Sequence, residues 1–303
     1  MEIIDLKKNG SKNNIAVALG NFDGIHRGHR YLIEDNINKA NKYNLEPSIL
    51  LFKNHTRLTI NKNNIPILTS NEQKFKILED MGIRIVYILD FDENVMKLNG
   101  EEFVKDIIVN KLKAKLVTVG FDYRFGHKAS GDSKYLKKLG EKYNFKTNII
   151  EPIYIDGQVI SSTKIRNFIS SGNIKKANEF LGHYYSIIGN VVSGSSRGRK
   201  LGYPTANIEL INNHIVPKPG VYKSISLLNG EEFISLTNIG YNPTFNGKTL
   251  KIENHILDFN RNIYGEILEV QFLDFIREDI KFNTAEELIE QMNKDVEYAK
   301  RNQ

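Results

Sequence analysis

Apolar residues in the first half of the chain gather in short dense runs, at Ile15 to Leu19, Ser48 to Phe52, Ile83 to Leu89, Leu116 to Val119 and Thr147 to Ile150. Each run is short enough for a strand and too uniformly apolar for one with a wet face, the pattern of a strand buried on both sides. Between the runs the apolar spacing changes to three and four, through Tyr31, Leu32, Ile33 and Ile37, then Glu72 to Leu78, Glu102 to Leu112 and Ser133 to Tyr143. These are amphipathic helices. Buried strands alternating with helices predict an α/β unit, a doubly wound parallel sheet covered on both faces. Two further helices close this half, one through Ile165, Phe168 and Ile169 and one from Ile174 to Leu181, stopped by Gly182.

From Tyr184 the texture changes. Short runs with strand-like alternation, split by turn residues such as Asn229-Gly230, continue to about Phe272, and a helical pattern through Leu288, Met292, Val296 and Ala299 ends the chain. Strands in succession followed by one helix predict an all-β unit, a small antiparallel β-barrel with a terminal helix. The expected domains are 1–183 and 184–303.

Composition narrows the chemistry. A chain of 303 residues, 40% hydrophobic, can bury two cores. It has no cysteine, hence no disulfide and no thiolate chemistry, which suits a reducing cytosol. The N-terminal stretch carries acids where a signal peptide would be apolar, and no run is long enough to span a bilayer, so a cytoplasmic protein without a membrane partner is expected. The formal charge of +6 raises nucleic acid as a partner. Lysines are interleaved with acids and no basic tail or arginine stripe occurs, so small anions are the expected ligands and nucleic acid is not.

The densest chemistry is Gly20-Asn21-Phe22-Asp23-Gly24-Ile25-His26-Arg27-Gly28-His29, placed between a buried strand and a helix expected to start near Gly28. Glycines let the backbone approach a ligand, and a helix N-terminus offers free N–H groups and partial positive charge to an anion. His26 and His29 can donate to one phosphate chain. A histidine pair without a carboxylate or cysteine partner makes a weak zinc site, and a purely structural turn is the other alternative. Downstream, Ser161-Ser162-Thr163 precede a helix carrying Arg166 one turn in. Capping needs one hydroxyl; three with a guanidinium suit a triphosphate.

The long form of the first motif resembles the FAD synthetase module of bacterial riboflavin kinase/FMN adenylyltransferases, and its His-x-Gly-His end is similar to the signature of the nucleotidyltransferase superfamily. Other stretches resemble the same family in the family's order. Phe52-Lys53-Asn54-His55 matches Phe-x-Pro-His without its prolines, and Val119-Gly120-Phe121-Asp122-Tyr123-Arg124-Phe125-Gly126 matches Val-Gly-x-Asp-Phe-x-Phe-Gly with Tyr for Phe. Ser161 to Arg166 matches Ser-Ser-Thr-x-Ile-Arg. The resemblance implies a Rossmann-like nucleotidyltransferase domain in which Gly20, Phe22, Asp23, Gly28, His55, Ser161, Ser162 and Thr163 bind ATP phosphates. His26, His29 and Arg166 would act on the transfer, and Asp122 and Phe125 would meet the flavin. By residue alone, Phe125 reads equally well as core.

In the second half, the glycine-rich basic stretch Ser193 to Asn207 lacks the Gly-Lys-Ser/Thr end of a P-loop. It resembles riboflavin kinase, whose hallmark Gly-x-Pro-Thr-Ala-Asn is present at Gly202 to Asn207. The resemblance implies ATP contacts at Gly194, Gly198, Lys200 and Gly202, and Mg²⁺ held by Thr205 and Asn207, which share one face of a strand. Glu253-Asn254-His255-Ile256-Leu257 is similar to the family's Glu-x-His-x-Leu, which makes Glu253 the expected general base, and Arg277 an expected flavin contact. The implied substrates are riboflavin, FMN and ATP: riboflavin to FMN in the second domain, then FMN to FAD in the first.

Overall fold

The computed structural model describes residues 1–53, 66–194, 202–244 and 247–301, with backbone alone at 242–244 and 247–248. The expected phosphate contacts His55, Gly198 and Lys200 lie outside the described residues.

Strands β1 (Glu2–Asp5), β2 (Ile15–Leu19), β3 (Glu46–Phe52), β4 (Ile85–Leu89) and β5 (Ala114–Gly120) are followed by a two-stranded ribbon, β6 (Arg124–Phe125) with β7 (Gly131–Asp132), and by β8 (Lys146–Ile150). Six of these form one sheet in the order β1-β4-β3-β2-β5-β8, every pairing parallel. A short hairpin, β9 (Tyr154–Ile155) with β10 (Gln158–Val159), follows. Alternate residues of β2 serve opposite cores. Val17 and Leu19 join Phe103, Val104, Ile107 and Leu136 on one face, while Ala18 joins Leu32, Ile33, Ile49 and Leu78 on the other. The sheet is therefore doubly covered, as the alternating pattern predicts.

Helices Arg27–Lys42, Asn71–Asp80 and Ser133–Tyr143 supply much of that cover. The pattern at Glu102 to Leu112 resolves into a turn, Gly100–Glu102, running into a π-helix, Phe103–Lys111. The chain leaves β2 toward β3 and β4 on one side, and β5 and β8 lie on the other, so the strand order reverses between β2 and β5. In open parallel sheets that switch point is the ligand crevice. The loops leaving β2 and β5 carry the motifs Gly20–His29 and Gly120–Phe125.

The second unit is a closed antiparallel barrel, β11 (Tyr185–Val192), β12 (Ala206–Leu210), β13 (Gly220–Leu228), β14 (Glu231–Thr244), β15 (Gly247–Ile256) and β16 (Ile267–Arg277), in the order β11-β12-β15-β14-β13-β16. Along β15 the side chains alternate: Ile252, Asn254 and Ile256 are buried, while Lys251, Glu253 and His255 line a cavity on the opposite face. Asn254 belongs to a buried cluster with Ser224, Ser226, Ser235 and Thr237, bonded to one another at 2.7–2.9 Å. A polar cluster of this kind is tolerable in a core because its groups satisfy each other. The terminal helix Ala285–Arg301 packs Val296 and Ala299 against Val221, Leu236 and Leu257.

Compactness divides the chain at a different place from texture. One unit comprises 1–65 and 70–161, the other 66–69 and 162–303. Helices Ser162–Ser170 and Ile174–Leu181 thus belong by packing to the barrel unit. The Asn178 side chain ties them there, donating to the Phe272 carbonyl at 2.8 Å and accepting the Tyr185 N–H at 2.7 Å.

Candidate active sites

In the parallel-sheet unit, β2 ends in a turn held by an unusual backbone. Phe22 and Ile25 both have left-handed φ values, 46° and 34°, a conformation costly for bulky side chains and affordable only where packing over-determines it. Both side chains are fully buried, which supplies that packing. Gly24, with φ 90°, is the one glycine here that the backbone angle requires. Gly20 and Gly28 matter for space: an added Cβ would lie 3.1 Å from the Phe22 ring at the first and 3.3 Å from the His26 ring at the second.

The helix begins at Arg27 rather than Gly28, with His26 as its N-cap. His26 Nδ1 accepts the His29 N–H at 3.2 Å, so the proton of the neutral ring sits on Nε2. The two imidazoles stack, centroids 3.5 Å apart and planes within 12°, and Phe22 meets His29 edge-on. His29 Nδ1 is sealed from solvent without a hydrogen-bond partner among the described residues. Burial first, then the neighbouring His26 and Lys74, hold the His29 imidazole well below the ordinary histidine range.

That shift has a consequence for stability. An unfolded histidine titrates near 6.5, so on acidification the unfolded chain takes up this proton before the folded one. The contribution is fully present above about pH 6.5 and is lost as pH falls from there toward the folded-state value, at no more than about 1.4 kcal/mol per pH unit. Urea titrations at pH 7.5 and 5.5 should show a steeper acid loss in the wild type than in a variant lacking this imidazole; equal slopes would exclude the buried neutral ring.

Other expected residues of this unit sit differently. Asp23 is buried, 2% exposed, and faces inward rather than toward solvent. Asp122 is exposed at the end of β5. Phe125 is 5% exposed and packs among Phe103, Tyr123 and Tyr135 with centroids 5.8–6.2 Å apart, the core placement that its residue type alone allows as readily as a flavin contact. The exposed aromatic of that segment is Phe121. Ser161 ends this unit, and helix Ser162–Ser170, with Thr163 exposed in its first turn, belongs to the barrel unit together with Arg166 and Pro66. Arg166 Nε donates to the Pro66 carbonyl at 3.1 Å.

The barrel unit brings its residues together. A cavity of about 250 Å³ is lined by Thr205, Asn238, Lys251, Glu253, Arg277 and Asp295 among others, with Leu288 and Met292 of the terminal helix as an apolar wall. Strand register places Glu253 opposite Asn207 of β12 and opposite Asn238 of β14. Lys251, two residues before it on the same face, pairs with it at 2.7 Å. His255 donates from Nδ1 to the Pro204 carbonyl at 2.8 Å, and Tyr203 bonds through its hydroxyl to Asn293, so the Gly202–Thr205 turn is fastened on both sides. Gly194 lies against Asn207: an added Cβ would fall 2.0 Å from its amide nitrogen. Gly202 has φ 85°, which favours glycine for the turn itself.

Arg277 lines the cavity with its charge already matched. Nε reaches both Asp295 oxygens at 3.0–3.1 Å and Nη2 reaches Oδ2 at 2.8 Å, with Gln291 donating to Asp295 as well. This pair pins the terminal helix as the cavity wall. Sequence reasoning missed Asp295 and Lys74, and gave Asn238 no role. Lys251 and His255 were within its reach, since residues two apart on a strand share a face.

A glycine-rich turn with two histidines at the switch point of a parallel sheet, together with a barrel whose cavity gathers a carboxylate, an amide and a hydroxyl, fits a two-headed nucleotide-dependent transferase. Family models agree in both halves: FAD synthetase over residues 8–164 and riboflavin kinase over 181–303. The chain belongs to the bifunctional riboflavin kinase/FMN adenylyltransferase family. The relative of that name from Buchnera aphidicola subsp. Schizaphis graminum is 38% identical over 304 residues, covering 99% of this chain and 96% of its own. That from Listeria monocytogenes is 36% identical, covering 93% and 90%. The crystal structure of a macrolide-efflux protein from Streptococcus pneumoniae, 31% identical, covers all of both chains with a TM-score of 0.92, which carries the architecture over. No helix among the described residues is long and apolar enough to cross a membrane.

Proposed function

We propose that the barrel transfers the γ-phosphate of ATP to riboflavin, giving FMN and ADP, and that the parallel-sheet unit transfers the adenylyl group of a second ATP to FMN, giving FAD and pyrophosphate. The observation that carries the reading is Glu253, set between Asn207 and Asn238 in strand register and beside Lys251 in a cavity with Thr205. In the kinase step Glu253 takes the proton from the ribityl hydroxyl as that oxygen attacks the γ-phosphorus, and the β–γ bridge breaks toward ADP. Leu288, Met292 and Phe282 give the flavin ring an apolar seat.

The donors suit Mg²⁺. Thr205 and Asn207 offer hard oxygen donors, and Asn238 Oδ1 is buried without a hydrogen-bond partner among the described residues. Thr205 and Asn207 would hold it, and when bound it neutralises charge on the ATP phosphates.

In the adenylyl step FMN brings its own nucleophile, since its phosphate is mostly dianionic near neutral pH, its second pKa being about 6. No general base is required. What this chain supplies is alignment and neutral-to-positive hydrogen-bond donors as pyrophosphate leaves: His26 through Nε2, His29, and the backbone turn from Gly20 to Gly28. Ser162, Thr163 and Arg166 are assigned to phosphate by the same chemistry, and Asp122 to the polar edge of the flavin. The functional boundary stays at 183/184, and a cytoplasmic location belongs to the same reading.

The test uses riboflavin, ATP and Mg²⁺ with separation of the flavins. Both FMN and FAD are expected, and chelation by EDTA should stop both steps, with recovery on adding Mg²⁺. Absence of both products with Mg²⁺ present overturns the function; full activity in EDTA overturns the metal assignment alone.

A further inference from the structure

Lys74 lies on helix Asn71–Asp80, which a capping box at Ser70 and Gln73 starts firmly. Its side chain points into the protein and is 7% exposed, a rare place for an ammonium unless it has partners. Nζ stands 3.4 Å from the carbonyl oxygen of Asn21, inside the Gly20–His29 turn. The charges acting on it are Asp23, itself 2% exposed in the same turn, and Glu72 on its own helix. In the other direction the Lys74 charge acts on His29, alongside the stacked His26 ring. A single side chain therefore meets the turn at the Asn21 carbonyl and acts through its charge on a carboxylate and an imidazole of the same turn.

This arrangement explains two facts left open by a phosphate role for every polar residue of the motif. Asp23 is buried, where a carboxylate costs less with a cation's charge acting on it, as that of Lys74 does. Left-handed Phe22 lies between Asn21 and Asp23, the two residues that face Lys74. We propose that Lys74 is a positioning residue for adenylyl transfer, its ammonium holding the Asn21–Asp23 segment so that His26 and His29 meet the phosphate chain in fixed register. The inference rests on the adenylyl-transfer reading of this turn. Asp23 then acts through Lys74 rather than on ATP.

The charge has a second effect. Burial pulls the Lys74 ammonium down from the ordinary lysine range, and its charge adds to the burial that keeps the His29 ring neutral, so the ring enters the reaction as a hydrogen-bond donor.

The experiment compares wild type, Lys74→Met and Lys74→Arg in the full chain. Lys74→Met keeps the packed stem and removes the charge. It is expected to slow FAD formation from FMN about 10- to 100-fold, the worth of one charged hydrogen bond, while riboflavin phosphorylation by the same molecules stays within twofold. In side-chain NMR titrations its His29 midpoint should move up by about half a pH unit or more, because a repelling cation is gone. Lys74→Arg keeps the charge and should retain FAD formation within about tenfold, with the His29 midpoint close to wild type. A merely structural lysine would lower the melting temperature and leave the His29 midpoint in place. Unchanged FAD formation in Lys74→Met, or an unmoved His29 midpoint in it, overturns the proposal. Should Lys74→Met fail to fold, loss of FAD formation in a folded Lys74→Arg with a shifted midpoint overturns it equally. Wild type unable to convert FMN to FAD would instead overturn the reading of the turn itself.

Discussion

Glu253→Gln is expected to lower kcat for riboflavin phosphorylation about 10²- to 10⁴-fold, the usual span for loss of a general base, while FAD formation from supplied FMN continues at the wild-type rate. Glutamine keeps the shape and the hydrogen-bonding edge of glutamate, so Asn207 and Asn238 retain the neighbour that strand register gives them. What disappears is the capacity to take a proton from the ribityl hydroxyl. The partner left behind, Lys251, has a side chain 31% exposed and can be hydrated, so the lost ion pair should change stability by no more than about 1 kcal/mol. Initial rates of both reactions, measured on one preparation, separate chemistry from folding. A kinase rate within tenfold of wild type would remove Glu253 from the role of base, and a parallel loss of FAD formation would mean that the substitution had damaged more than one site.

Legibility in the sequence followed how local each feature is. Short motifs mark Thr205, Asn207 and Glu253; Thr205 and Glu253 line one cavity, and strand register sets Asn207 beside Glu253, while Thr205 lies just before β12. The doubly wound sheet was legible because its buried strands carry unbroken apolar runs. β1 was not: Glu2-Ile3-Ile4-Asp5 has only two apolar residues between acids, and it becomes a strand by pairing with β4 at the edge of the sheet. The π-helix at Phe103–Lys111 shares its apolar spacing with an ordinary helix.

Features that depend on a distant partner stayed hidden. Arg277 alone reads as a cation awaiting a ligand; Asp295, eighteen positions on, meets it only after the terminal helix has docked. Lys74 reads as one lysine among many on a helix, and nothing in its neighbours announces that its side chain faces inward. The helices from Ser162 to Leu181 show clear apolar faces, yet a periodic pattern states that a face must be covered without stating by what. Texture therefore set the division at 183/184, while packing assigns these helices to the barrel unit.

His29→Ala is expected to reduce FAD formation from FMN about 10²- to 10³-fold, the range seen when one preorganised donor is taken from a developing charge, with riboflavin phosphorylation unaffected, so that FMN accumulates when riboflavin and ATP are supplied. The reason lies in how the ring is held. It is stacked on His26 at 3.5 Å, meets Phe22 edge-on, and is kept neutral first by burial, then by its neighbours His26 and Lys74. Such a ring needs no reorganisation when charge moves onto the pyrophosphate, and alanine at this position leaves the turn intact, because the backbone N–H of residue 29 still donates to His26 Nδ1. His26→Ala differs in kind: it removes the helix cap as well as a donor, so a loss of about 1 kcal/mol in stability should accompany its fall in rate. Rates for FMN to FAD and for riboflavin to FMN, taken with urea midpoints for both variants, distinguish the two roles. Retention of FAD formation in His29→Ala, or a stability loss in it as large as in His26→Ala, would place this imidazole among the supports of the turn and not among the groups that meet the phosphates.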